Sequence, residues 1–153
     1  MKEELDELLC KKYPKIFANR NAPITQTAMC WGFDCGDGWY NIIDKLCSQI
    51  QWHLDHNAEK ETPQVVAAQV KEKYGTLRFY YDGGDRFIYG LESMATAMSA
   101  VTCELCGSHG KLVGGGWVRT LCKTHAEEQN YNWNTVLGST TELDEENETP
   151  TED

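Results

Sequence analysis

Apolar positions recur at spacings of three and four in three stretches of the chain, and this periodicity predicts three helices. The first covers residues 3–12, with Leu5, Leu8 and Leu9 on one face and Pro14 ending the pattern. The second runs from Trp39 to His56 through Ile43, Leu46, Ile50 and Leu54, with Asp37 placed to cap its start. The third runs from Asp85 to Val101, and Leu91, Met94, Ala95 and Met98 form its expected core stripe. Between the second and third helices the pattern changes to an extended one. Val65–Lys73 and Thr76–Tyr81 read as two strands joined at Tyr74-Gly75, a hairpin with Leu77, Phe79 and Tyr81 on one face and Arg78 and Tyr80 on the other. Residues 14–38, rich in Asn, Pro and Gly, read as irregular, and a last short helix is expected from His125 to Trp133.

The order of elements predicts an α+β fold: a mixed domain over residues 1–102, a metal-binding module over 103–133, and an acidic, disordered tail over 134–153. A chain of 153 residues with 41% apolar content can bury a core without disulfides. The acidic start lacks the pattern of a secretory signal, and no apolar run reaches the roughly 20 residues that span a bilayer. A cytoplasmic location with reduced thiols follows as the expectation.

The formal charge is −10, but residues 139–153 carry seven acids and no base, so the rest of the chain carries −3. Nucleic acid is therefore disfavoured as a partner, though only by a modest charge on the folded part.

The strongest chemistry lies near the C-terminus. Cys103-x2-Cys106 and, after fifteen intervening residues, Cys122-x2-His125 have the spacing of a zinc site of zinc-ribbon or treble-clef type. Two ligands separated by two residues bend around one cation in a tight turn, and Gly107 permits the positive φ such a turn needs. Lys111–Arg119, with three consecutive glycines, would return the second pair to the first. Four protein ligands leave no position for water or substrate, so one structural Zn2+ is expected, not a catalytic one. A second set, Cys30, Cys35, His53 and His56, has looser spacing. A core or capping role suits His53 better, and buried apolar roles suit the remaining cysteines.

Two further places attract attention. Lys71, Lys73, Arg78 and Tyr80 on the hairpin, with Arg86 shortly after it and Trp39, Tyr74 and Trp117 as stacking surfaces, form a candidate anion-binding patch; the plainer reading is a solvated sheet face. Gly36-Asp37-Gly38-Trp39 reads as a helix start anchored by Trp39, or as a pocket wall in which Asp37 meets a ligand. No nucleophile elbow, P-loop or HExxH helix occurs, so a non-enzymatic role is expected.

The run Gly36–Asp44, the run Gln69–Tyr81 and the Cys103–His125 module together resemble a set of small uncharacterised proteins carried by tailed bacteriophages and prophages, over residues 30–127. The resemblance implies a phage accessory protein in a bacterial cytoplasm. It would bind a host or phage protein, such as a host-defence component, or sequester a phosphorylated nucleotide; a nucleic-acid-binding zinc module is the remaining alternative. The family lends no catalytic residue.

Overall fold

The computed structural model describes residues 1–134 of the chain, and the acidic tail lies outside them. The elements follow in the order α1 (Glu3–Lys12), β1 (Phe33–Asp34), α2 (Tyr40–His56), β2 (Val66–Lys73), β3 (Thr76–Asp82), α3 (Arg86–Ser99), β4 (Lys111–Gly114), β5 (Val118–Leu121) and α4 (Lys123–Glu128). This is an α+β fold with two small sheets.

The first sheet has the order β1-β2-β3, with β1 parallel and β3 antiparallel to β2. The β2–β3 hairpin turns through Tyr74 and Gly75, both at positive φ (54° and 78°), which suits the right-handed twist of paired strands. Its inner face buries Ala67, Val70, Leu77 and Phe79 against α1, α2 and α3. The core is completed by Leu9, Ile16, Phe17, Trp39, Ile43, Ile50 and Ile88. The outer edge of β3 is closed by α3 rather than by another strand. Ser99 Oγ accepts from the Leu77 amide at 2.8 Å, and Thr96 Oγ1 donates to the Leu77 carbonyl at 3.1 Å, so an edge that would otherwise pair with another chain is satisfied internally.

Several expectations need correction. The segment 14–38 is not wholly irregular: it supplies β1, whose two residues are too few for periodicity to reveal. Of the expected α1 face Leu9 is buried, but Leu8 is 43% exposed, and the helix also buries Asp6, gripped by Arg20 Nε at 2.9 Å. On α3 the buried positions are Ile88, Ala95 and Ser99, while Met94 and Met98 stay exposed. Asp37 does not cap α2; it sits in a 3-10 turn before the helix and accepts the Lys2 amide at 2.7 Å. The last helix ends at Glu128, short of Trp133.

A second, smaller core of Cys103, Val113, Leu121 and Ala126 belongs to the β4–β5 ribbon and α4. Two contacts set this module against the main core. The Thr120 hydroxyl donates to the Gly75 carbonyl at 2.6 Å, joining the ribbon to the hairpin turn. The Trp39 indole N–H donates to the Thr102 carbonyl at 2.8 Å.

Candidate metal centre

Each ligand is placed by a local element. Cys103 and Cys106 sit in a tight turn closed by the Gly107 amide on the Cys103 carbonyl (2.9 Å), with Gly107 at φ 76°. β4 and β5 pair from Lys111↔Leu121 to Gly114↔Val118 and bring Cys122 back beside that turn. Cys122 is the N-cap of α4, and three residues on, in the first turn of that helix, His125 faces the cysteines.

The four donor atoms lie within 4.8 Å of one another. Cys106 Sγ is 3.8 Å from Cys122 Sγ, and His125 Nδ1 is 3.4 Å from Cys103 Sγ and 3.3 Å from Cys122 Sγ. A tetrahedral zinc with bonds of about 2.3 Å to sulfur and about 2.0 Å to nitrogen needs edges of roughly 3.8 Å and 3.5 Å. The cluster has the donor set and spacing to hold such an ion. Among the described residues it is the one such group.

The electrostatics differ between the two cysteines of this turn, and only Cys106 is drawn towards the thiolate. Burial pushes the Cys103 thiol up, and the backbone amides of Cys122, Cys106 and Leu105 oppose that shift. Burial also acts on Cys106, but donation from the Ser108 hydroxyl and amide, with its cysteine neighbours, pulls it down to about 6.

The surroundings of the cluster hold the residue that sequence reasoning missed. Glu104, between the first two ligands, is 5% exposed. Its Oε2 receives Arg119 Nε and Nη2 at 3.1 and 2.8 Å, and its Oε1 receives the Gly36 amide at 3.0 Å. Its backbone carbonyl receives the Gly38 amide at 2.8 Å, and its own amide donates to the Thr120 carbonyl at 2.9 Å. The Gly-Asp-Gly-Trp turn is thus a plug in the metal turn. A Cβ on Gly36 would overlap the Glu104 carbonyl, and one on Gly38 would overlap the Cys103 carbonyl and the Gly107 amide. The signal was present as two glycines flanking Asp37, a pattern that permits close backbone approach.

That arrangement removes Trp39 from the candidate ligand site: it is fully buried, with its indole N–H committed to Thr102. Asp37 faces Lys2, not the hairpin. Lys71, Arg78 and Tyr80, by contrast, do share the outer face of the first sheet, Lys71 directly opposite Arg78 and Tyr80 opposite Gln69. Lys73 lies at the turn end, its ammonium 5.5 Å from the Tyr74 ring centre. Among the described residues Lys71, Lys73 and Arg78 make no ion pair within 4 Å, although Asp34 of β1 stands opposite Lys71. A cleft of about 500 Å³ opens between this face and the ribbon, lined by Asp34, Lys71, Glu104, Trp117, Arg119 and Tyr131.

The second metal set is not assembled. His53 Nε2 lies 2.7 Å from Asp85 Oδ2, His56 Nδ1 lies 2.8 Å from the Trp52 carbonyl, and Cys30 Sγ lies against the Thr27 carbonyl at 3.2 Å. Burial pushes the Cys35 thiol up to about 12, the opposite of a reactive cysteine. Among the described residues no helix is long and apolar enough to cross a membrane. Comparison with protein-family models, with curated proteins and with solved structures finds no match.

Proposed function

We propose that this chain is a non-catalytic protein-binding module, organised by one structural zinc ion, whose partner docks on the outer face of the first sheet. Cys103, Cys106, Cys122 and His125 would fill all four zinc positions, so the ion would contribute folding free energy and no Lewis-acid step. The observation that carries the binding role is the composition of the sheet face. Trp31 and Trp117, 70% and 69% exposed, flank it, with Lys71, Arg78 and Tyr80 between them. Trp, Tyr and Arg are the residues in which interface binding energy concentrates, and two exposed tryptophans on one sheet face have no role in the chain's own core. In the phage context that the sequence resemblance implies, the partner is a host or phage protein in the bacterial cytoplasm.

Two measurements test this. Metal analysis should return one zinc per chain, lost in Cys106→Ala. A defined protein should bind the full chain, and Trp117→Ala or Arg78→Ala should weaken it about 30-fold, the hot-spot range of about 2 kcal/mol, with zinc content unchanged. A partner that binds both variants with full affinity would sink the assignment of this face.

A phosphorylated nucleotide is the second reading, and the cleft beside Lys71, Trp117 and Tyr131 is the observation for it. It ranks lower because Arg119 is already paired with Glu104 and Asp34 stands opposite Lys71. A thermal shift with a nucleotide, abolished by Lys71→Ala, would promote it. Nucleic acid ranks third, with a chain charge of −10 opposing phosphate.

A further inference from the structure

The third helix faces the core with Ile88, Ala95 and Ser99 and carries a second, apolar stripe that the fold covers only at one end, where Phe87 stacks on His53 at 4.3 Å and Leu91 packs against the core. Phe87, Leu91, Met94 and Met98 follow one another at intervals of four, three and four, the seam spacing of two packed helices, and Val101 continues the apolar surface in the turn past Ser99. Leu91 is half-buried; the other four are 54%, 61%, 50% and 52% exposed, in that order. Of the eight exposed residues within α3, only Arg86 is charged, in a chain of which 25% is Asp, Glu, Lys or Arg. A groove of about 300 Å³ runs beside this seam, between α3 and Ile42, Lys45 and Leu46 of α2.

Gly90 sharpens the point. It lies inside α3, where glycine costs about 1 kcal/mol relative to alanine. Neither a turn nor a neighbour requires it: nothing lies within 4 Å of where its Cβ would be. A glycine that the chain's own packing does not need, on the exposed side of a helix beside an unfilled seam, admits the close approach of a second backbone.

We propose that this face is a two-fold interface with a second copy of the same chain, the two α3 helices packing antiparallel about Met94. The seam is centred on Met94, so a two-fold axis there sets Phe87 against the partner copy's small Val101 position and Leu91 against its Met98 position. No like charges meet along it, so the net negative charge of the chain does not oppose contact there. Arg86, at the start of one helix, comes near the C-terminal end of the other, the favourable end for a cation. The four exposed seam residues are each half or more exposed, and burying them on both copies removes roughly 900 Å², the small end of specific interfaces, which fits a weak, readily exchanging dimer. The pliable methionines suit a seam that is wet in the monomer and packed in the dimer. This face is separate from the sheet face assigned above, and the two assignments stand or fall independently.

Sedimentation of the full, metal-loaded chain over about 1–500 µM tests it, a range that reaches the weak self-association expected of a small interface. The dimer fraction should rise across that range. Met94→Glu, which sets two carboxylates face to face, should weaken self-association at least 10-fold with zinc content and helix content unchanged. Mixing Met94→Glu with Met94→Lys should restore a dimer made of one of each. A wild-type chain that is monomeric throughout overturns the proposal, as does a dimer that Met94→Glu leaves intact. Met94→Glu should bind a sheet-face partner as the wild type does, which keeps this test apart from that of the proposed function.

Discussion

Glu104 shows how much of the metal module depends on one side chain that ligates nothing. It is buried, charged and satisfied from two directions, by Arg119 and by the amides of the Gly-Asp-Gly-Trp turn. Removing one member of a buried pair leaves the other uncompensated, so Arg119→Ala should destabilise the protein by about 3 kcal/mol in chemical denaturation. Gly38→Ala should cost at least ~2 kcal/mol, because the methyl meets backbone, which cannot swing aside as a side chain can. Measured together, Gly38→Ala and Arg119→Ala should be non-additive, since both act on Glu104. The clustering of Cys103, Cys106, Cys122 and His125 was legible because the spacing within each half is local and each pair lies within one turn. Glu104 was not legible as a hub, because its partners are 15 and 68 residues away and nothing in a linear pattern ties them.

Elements were legible where one periodicity had one meaning. The β2–β3 hairpin and α2 follow their patterns closely, and the Tyr74-Gly75 break became the turn. Helix α3 shows the limit. Its two apolar stripes lie about 100° apart, and periodicity finds both without saying which meets the core. The start of the same helix is firmly built: the Asp85 carboxylate caps the Phe87 and Ile88 amides at 3.0 and 3.1 Å and accepts from His53 across to α2. The His53 hydrogen bond, with those amides, holds the Asp85 carboxyl below its usual range. A carboxyl lowered in the folded state contributes stability that is present above its unfolded value and lost as pH falls through the folded one. Asp85→Ala, which removes both the cap and the His53 partner, should therefore be destabilised at pH 5 to 7, by about 1 kcal/mol. The gap from wild type should shrink as pH drops below about 4, read from denaturation midpoints across pH.

At the scale of the whole molecule the two cores are joined through the turn that carries Cys103 and Cys106, so an ion held there would act beyond its own module. Trp39 reports on this in a Trp133→Phe background: it is fully buried and hydrogen-bonded to Thr102, Trp31, Trp52 and Trp117 are half or more exposed, and Trp133, which packs against the smaller core, is removed. Removing the metal with a strong chelator should shift tryptophan emission to the red and lower the melting temperature of the main core along with the module. An unchanged emission maximum in the chelated protein would show that the plug holds without the ion. Nothing along the chain announced this coupling, since domain-like segments are visible in sequence while the socket between them is not. The plug and its socket also impose an order on folding. Gly36 and Trp39 must wait for Glu104 and Thr102, 68 and 63 positions later in the chain, and Glu104 is itself held by Arg119. A chain still being synthesised therefore leaves the indole N–H of its most buried tryptophan without its hydrogen-bond partner until Thr102 has emerged, and an ion bound at the cluster should speed the closing step. Refolding followed by Trp39 emission should show a slow phase that accelerates with added zinc, while helix formation in α2 and α3 proceeds without it.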